Sequence, residues 1–296
     1  MTPAILDTLA FAPFPVHELR ERALASRPEM DLWEGELGFI RRRVTGRDPS
    51  KPSIAVLPDG PATIESYDGF IEALRDRFNI AVVEIPGFGW SWPKRDAALG
   101  FETSCELIAD ALAELALPRL TLVGPCVQAL HAARVAEMRP GVVHALILAQ
   151  SGSCAAERKW AKVLDPQGVL GIPYQGQIAF RLSRGRASLD WWVPFAAGPK
   201  TPVEDLQTTG REVQGAGCGY ALASQLQDMN NFRDSRPSQP AAVIWGMADA
   251  SHRDTDHRSA LELVPDAAYS EHAELGHFPD LEDPELIAKT ALKLLG

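Results

Sequence analysis

Between residues 53 and 149, four short apolar runs alternate with stretches of helical periodicity, and no other feature constrains the fold as much. The run 53–57 (Ser-Ile-Ala-Val-Leu) stops at Pro58-Asp59-Gly60-Pro61, as a buried parallel strand stops at a sharp loop. Residues 67–78 follow, with Phe70, Ile71, Leu74 and Phe78 on one helical face. A second strand is expected at 79–85 with a loop at 86–91 behind it, and a second helix at 103–115. The third strand, 120–123, runs directly into Gly124-Pro125-Cys126; a helix is expected over 128–138 and a fourth strand over 142–149. Strands separated by helices of this length require parallel crossovers, so the fold class is α/β with an open, doubly wound, mostly parallel sheet.

Near residue 151 the alternation stops. Residues 151–240 carry Trp160, Trp191, Trp192, Phe195 and Tyr220 among Gly, Pro and charged residues, which reads as an inserted helical cap. Strand character returns at 241–245 and 267–270, and an amphipathic helix closes the chain at 284–295. Residues 1–150 and 241–296 are therefore expected to form one core, with 151–240 as a lid on it. A chain of 296 residues suffices for such a core with an insertion. The N-terminal part offers a helix at 16–25 and a strand at 37–44.

A formal net charge of -10 argues against nucleic-acid binding, which needs a basic surface to displace counterions from phosphates. No apolar run reaches the ~20 residues of a membrane span. Residues 1–15 lack a cationic segment ahead of an apolar one, and Asp7 interrupts them, so they do not read as a signal peptide. Cys105, Cys126, Cys154 and Cys218 show neither metal-ligand nor redox spacing, from which reduced thiols in a cytoplasmic protein are expected.

Position sets Cys126 apart from the other three. A strand, a tight turn that carries a nucleophile between small residues, and a helix starting at once make an elbow that exposes one side chain above a parallel sheet. Two later loops complete a set: Trp245-Gly246-Met247-Ala248-Asp249 behind a strand, and Leu275-Gly276-His277-Phe278-Pro279. On these residues the chain resembles the α/β-hydrolase superfamily from Ser53 onward. The usual elbow of that superfamily is G-x-S-x-G; here Cys126 stands for the serine and Gln128 for the second glycine. The resemblance implies an α/β-hydrolase fold with a cap, Cys126 as nucleophile, His277 as its base and Asp249 as the group that orients the imidazole. A cysteine elbow also looks like that of dienelactone hydrolases and polyhydroxyalkanoate synthases, from which only the nucleophile's role carries over.

The chemistry suits these residue types. A thiol is mostly protonated at neutral pH, an imidazole can take its proton, and the positive end of the following helix favours the thiolate. An oxyanion needs N–H donors, one expected from Val127. The loop 58–62 lines up with the H-G-G-P-G loop of proline-iminopeptidase-like relatives, which implies Gly60 as the second donor; Pro61 has no N–H to offer. Asp59 is the odd residue, since a carboxylate repels a developing oxyanion. Either it turns away, as exposed carboxylates commonly do, or it serves as a second acid or base for chemistry other than simple hydrolysis. With Asp59, the residues Trp90, Gln128, Trp191 and Trp192 are expected at the substrate pocket, while His131, His252, His257 and His272 read as solvated or packing residues.

A thiol nucleophile exchanges readily with activated acyl groups, so an ester, lactone or thioester hydrolase is the first expectation. An acyltransferase or condensing enzyme is the second. Lyases, cofactor-free oxygenases and silent binding proteins on this fold form a third class. The partner expected is a small acyl substrate, thioesters of coenzyme A or a carrier protein among the candidates. No nucleic acid, membrane, cofactor or metal is expected, and a homodimer is left open.

Overall fold

The computed structural model describes residues 2–183, 186–213 and 218–296, and among these eight strands form one sheet. They are β1 (Met30–Glu34), β2 (Phe39–Thr45), β3 (Ser53–Val56), β4 (Asn79–Val83), β5 (Leu120–Pro125), β6 (Ala145–Ala149), β7 (Ala241–Gly246) and β8 (Ala268–His272). Their order is β1-β2-β4-β3-β5-β6-β7-β8. β1, β2 and β4 pair antiparallel, and every pair from β4 to β8 is parallel. Strands β3 to β7 are buried along their whole length, which is why they read as continuous apolar runs rather than as alternating ones.

The helices are α1 (Ile5–Phe11), α2 (Val16–Ala25), α3 (Asp68–Leu74), α4 (Phe101–Leu115) and α5 (Gln128–Met138) before β6. Between β6 and β7 the described residues form helices alone: α6 (Cys154–Leu164), α7 (Gln175–Ser183), a π-helical turn Arg186–Trp192, α8 (Val193–Ala196), α9 (Val203–Val213), α10 (Cys218–Asp228) and a last short turn. The side chains of Cys218 and Tyr220 lie outside the described residues. After β8 come α11 (Pro279–Glu282) and α12 (Pro284–Leu295). Asp283 caps α12 by accepting the Leu286 N–H, and Pro284 starts it without wasting a donor.

Most of the expected elements are present, with three differences. The helix expected over 67–78 splits into a 3-10 turn, Ile64–Tyr67, and the shorter α3. Helix α1 and strand β1 are additions to the expected set. Strand β1 is a half-buried edge strand whose Asp31 pairs with Arg42, so it shows no apolar run to detect.

The strand order fixes where a site can form. From β3 the chain passes to β4 on one side, then returns across β3 to β5 and continues the other way. A crevice opens beyond the carboxyl ends of β3 and β5, where the direction reverses. Asp59 and Cys126 follow those two strands. Among the described residues no helix is long and apolar enough to cross a membrane.

Candidate active site

The chain must turn between the end of β5 at Pro125 and the start of α5 at Gln128. Cys126 makes the turn at φ 47°, a left-handed conformation that side-chain-bearing residues rarely adopt, and its N–H donates to the Ala149 carbonyl of β6 at 2.8 Å. Gly124 lets α5 close on the strand, because a Cβ there would meet Ala129 Cα at 2.6 Å and Ala132 Cβ at 2.7 Å. Gly124→Ala is expected to destabilise the fold by about 1–3 kcal/mol through overpacking, measured by urea denaturation.

Asp249 and His277 arrive on the loops after β7 and β8. His277 Nδ1 lies 2.7 Å from Asp249 Oδ2. The other Asp249 oxygen accepts from the Ser251 N–H at 2.8 Å and hydroxyl at 2.7 Å, and Gln150 Nε2 donates to Oδ2 at 3.1 Å. Burial opposes the Asp249 charge, but the His277 charge and hydrogen bond outweigh it and hold the carboxyl at about 2. Burial likewise opposes the charged imidazole, and the two carboxylates around it lift His277 to about 10.

The second of those carboxylates is Asp59. Of the two orientations the sequence left open, the structure has the inward one: Asp59 is buried, with Oδ2 3.6 Å from His277 Nε2 and Oδ1 accepting from Gln128 Nε2 at 3.2 Å. The residue in place of the second motif glycine thus holds the unexpected carboxylate. Burial raises the Asp59 carboxyl, offset in part by His277. Burial, then the charges of Asp59 and Glu157, push the Cys126 thiol well above its ordinary range. Asp59→Asn removes one of those charges, so alkylation of Cys126 by iodoacetamide at neutral pH is expected to quicken. Peptide mass spectrometry resolves Cys126 from the other cysteines, and an unchanged rate would show that burial alone keeps the proton.

The nitrogen at hydrogen-bonding distance from the sulfur belongs to another histidine. His252, three residues after Asp249 and read from sequence as packing or solvated, is buried with Nε2 3.9 Å from Cys126 Sγ. Its Nδ1 lies 3.1 Å from Thr255 Oγ1, and burial lowers its pKa to about 3, so it is neutral. His277 Nε2 is buried with no hydrogen-bond partner among the described residues; the sulfur and the two imidazoles' facing nitrogens lie within 4.8 Å of one another. Glu157 on α6 is a further group with no sequence signal: it is buried, accepts the Gly152 N–H at 2.7 Å, and is raised by burial to about 7.

Trp160 of α6 stacks on His252 at 4.4 Å, and Trp192 meets His277 edge-on at 4.6 Å. Beside them a cavity of about 140 Å³ is lined by Asp59, Gly60, Val127, Trp160, Trp191 and Trp192, with Phe88, Phe180, Leu226 and Met229 among its apolar walls. Gly60 and Val127 face this space, and neither amide donates to a backbone carbonyl among the described residues. Trp90 departs from expectation. It packs with the separate cluster of Phe11, Leu19, Phe39 and Trp92, and Phe88 from the same loop lines the cavity instead. Phe195 stacks on Trp191, and neither His131 nor Cys154 is among the lining residues.

A family model described as alpha/beta hydrolase fold matches residues 52–284. Among solved structures, a mutant form of a "putative epoxide hydrolase" from Pseudomonas aeruginosa superposes with a TM-score of 0.73 at 15% identity, over 90% of this chain and 96% of that one. A "putative acyltransferase" from Salmonella enterica gives 0.71 at 16% identity, over 90% and 95%. The Bacillus megaterium epoxide hydrolase, solved with an inhibitor, gives 0.70 at 15% identity, over 90% and 99%. No curated protein matches the sequence significantly. Likeness at such identities speaks for the fold, whereas the family match spans most of the sequence. The chain belongs to the α/β-hydrolase fold family.

Proposed function

We propose that this protein is an acyl-transferring hydrolase that cleaves an ester, lactone or thioester through an acyl-Cys126 intermediate. The observation that carries this reading is the cysteine at a left-handed elbow, beside a His277–Asp249 pair 2.7 Å apart and an apolar cavity. The cavity suits a small apolar acyl group, and the helices between β6 and β7 act as its lid.

The charge states suggest a division of labour between two histidines. Neutral His252 takes the thiol proton on Nε2 as sulfur attacks the carbonyl, while the oxyanion meets the N–H groups of Val127 and Gly60. His277, charged at rest, gives its Nε2 proton to the leaving oxygen or sulfur. It then takes a proton from the attacking water, and His252 returns the first proton to the departing thiolate, which restores both groups.

Intact-mass spectrometry after brief incubation with p-nitrophenyl butyrate or a short acyl-coenzyme A tests the reading. An acyl adduct on Cys126 is expected, with turnover lost in Cys126→Ala; an adduct that outlasts water but is discharged by an alcohol or amine would make the protein an acyltransferase. A second reading has its own observation, the buried Asp59 carboxylate where an oxyanion would form. It favours proton-transfer chemistry of the lyase or cofactor-free oxygenase type. Turnover retained in Cys126→Ala but lost in Asp59→Ala and His277→Ala would replace the first reading with this one.

A further inference from the structure

We infer that Cys126, His252 and His277 form a binding site for a borderline-soft divalent cation of the zinc type, with water completing the coordination. The sequence shows no metal-ligand spacing, since the donors come from separate loops that only the sheet brings together. Sulfur and imidazole nitrogen are the donor set that zinc takes in tetrahedral sites. Zinc–sulfur and zinc–nitrogen bonds of about 2.3 and 2.0 Å place the ligand atoms of a tetrahedron about 3.3–3.6 Å apart. Here Cys126 Sγ and His252 Nε2 are 3.9 Å apart, and the three donor atoms all lie within 4.8 Å of one another. The donor atoms must draw together by up to about an ångström to reach that spacing.

Both imidazoles are already oriented for this. His277 is held through Nδ1 by Asp249 and His252 through Nδ1 by Thr255, which turns each Nε2 inward, as outer partners orient metal-bound histidines. His277 Nε2 is fully buried and makes no hydrogen bond to any described residue, with Asp59 Oδ2 3.6 Å away, so a cation that displaces its proton gains a ligand there. Cys126 binds as the thiolate and His277 as the neutral imidazole, so the thiol proton and the His277 Nε2 proton both pass to solvent as the metal bonds form. A metal so placed occupies the sulfur lone pair that attack on a carbonyl needs, so loading blocks acyl transfer. Binding is read without substrate, and its outcome does not depend on whether Cys126 is a nucleophile.

The test is titration of the chelator-treated protein with Zn2+ against a chromophoric chelator, and with Co2+ under anaerobic conditions. One tightly held equivalent is expected, and the Co2+ form should show thiolate-to-cobalt charge transfer with tetrahedral d–d bands. Cys126→Ser should abolish the charge-transfer band, His252→Gln should weaken Zn2+ binding by more than about 100-fold, and Thr255→Val by about tenfold. Thermal melts confirm that each variant is folded. Should His252→Gln fail to fold, the Co2+ spectra of the native protein and Cys126→Ser decide alone. A charge-transfer band that survives in Cys126→Ser, or octahedral Co2+ bound through oxygen only, would overturn the inference.

Discussion

Asp249→Asn is expected to lower kcat about 10⁴-fold while the protein stays folded, by analogy with an orienting carboxylate that sets a histidine tautomer. The native carboxylate accepts four hydrogen bonds, from Ser251 twice, from Gln150 and from His277 Nδ1. An asparagine oxygen can keep the Ser251 contacts, but its NH2 group turns toward His277 and makes Nδ1 an acceptor. His277 then loses the counter-charge that lifts it to about 10 and cannot arrive at the reaction as a proton donor. Steady-state turnover of p-nitrophenyl butyrate, with a thermal melt as control, makes the measurement. A loss below about tenfold would mean that His277 needs no orientation and plays no part in proton transfer.

Arg41→Met is expected to cost about 3–5 kcal/mol in urea denaturation, because it leaves two carboxylates buried without their cation. Arg41 on β2 is fully buried. Its Nη1 and Nη2 bind the two Glu65 oxygens at 2.7 and 3.0 Å, and Nε binds Glu84 Oε2 at 2.8 Å, with a second short contact from Nη2 to Glu84. Glu84 also accepts the N–H groups of Ile64 at 3.2 Å and Trp90 at 3.0 Å, so the guanidinium ties together the loops that follow β3 and β4. Phe88 and Asp59 both lie in those loops, and loosening them should reach the cavity. The two carboxyls shift in opposite directions, since burial raises Glu84 despite Arg41, and the acid-labile contribution is that of Glu65. Burial opposes the Glu65 charge, but Arg41 prevails and holds it at about 2 against an ordinary 4.5. Its contribution is therefore present above pH 4.5 and lost as pH falls toward 2. The deficit of Arg41→Met should be widest above pH 4.5 and narrow in acid, and replacing all three residues by apolar ones should recover most of it.

These two networks also mark the boundary of what the sequence discloses. The parallel strands and the elbow are legible because burial on both faces writes a continuous apolar run, and because Gly124 and Cys126 sit at a strand–helix junction. Arg41, Arg42 and Arg43 are not legible as buried residues. Their partners lie far away in sequence, at Glu65 and Glu84, at Asp31 and Glu114, and at Asp68. At the site, Asp249 and His277 announce themselves through loop motifs, while His252 has no motif and is placed by the path of the loop after β7. Its one sequence signal is proximity to the acid, three residues on, in a loop at the functional edge of the sheet. The direction of Asp59 depends on Gln128, a contact between a loop and the first turn of α5 that no local pattern encodes. Trp90 is expected at the pocket only by analogy with other loops of its kind, and a second hydrophobic cluster under the N-terminal helices claims it instead.

The protonated, buried state of Cys126 bears on how the protein ages. Peroxide and disulfides react with thiolates, and faster with exposed ones. A sulfur fully shielded from solvent and held protonated by burial and by the charges of Asp59 and Glu157 presents neither property at rest. It should survive an oxidising challenge that consumes ordinary active-site cysteines. The same carboxylates that delay the thiolate would then spare the enzyme irreversible oxidation between turnovers.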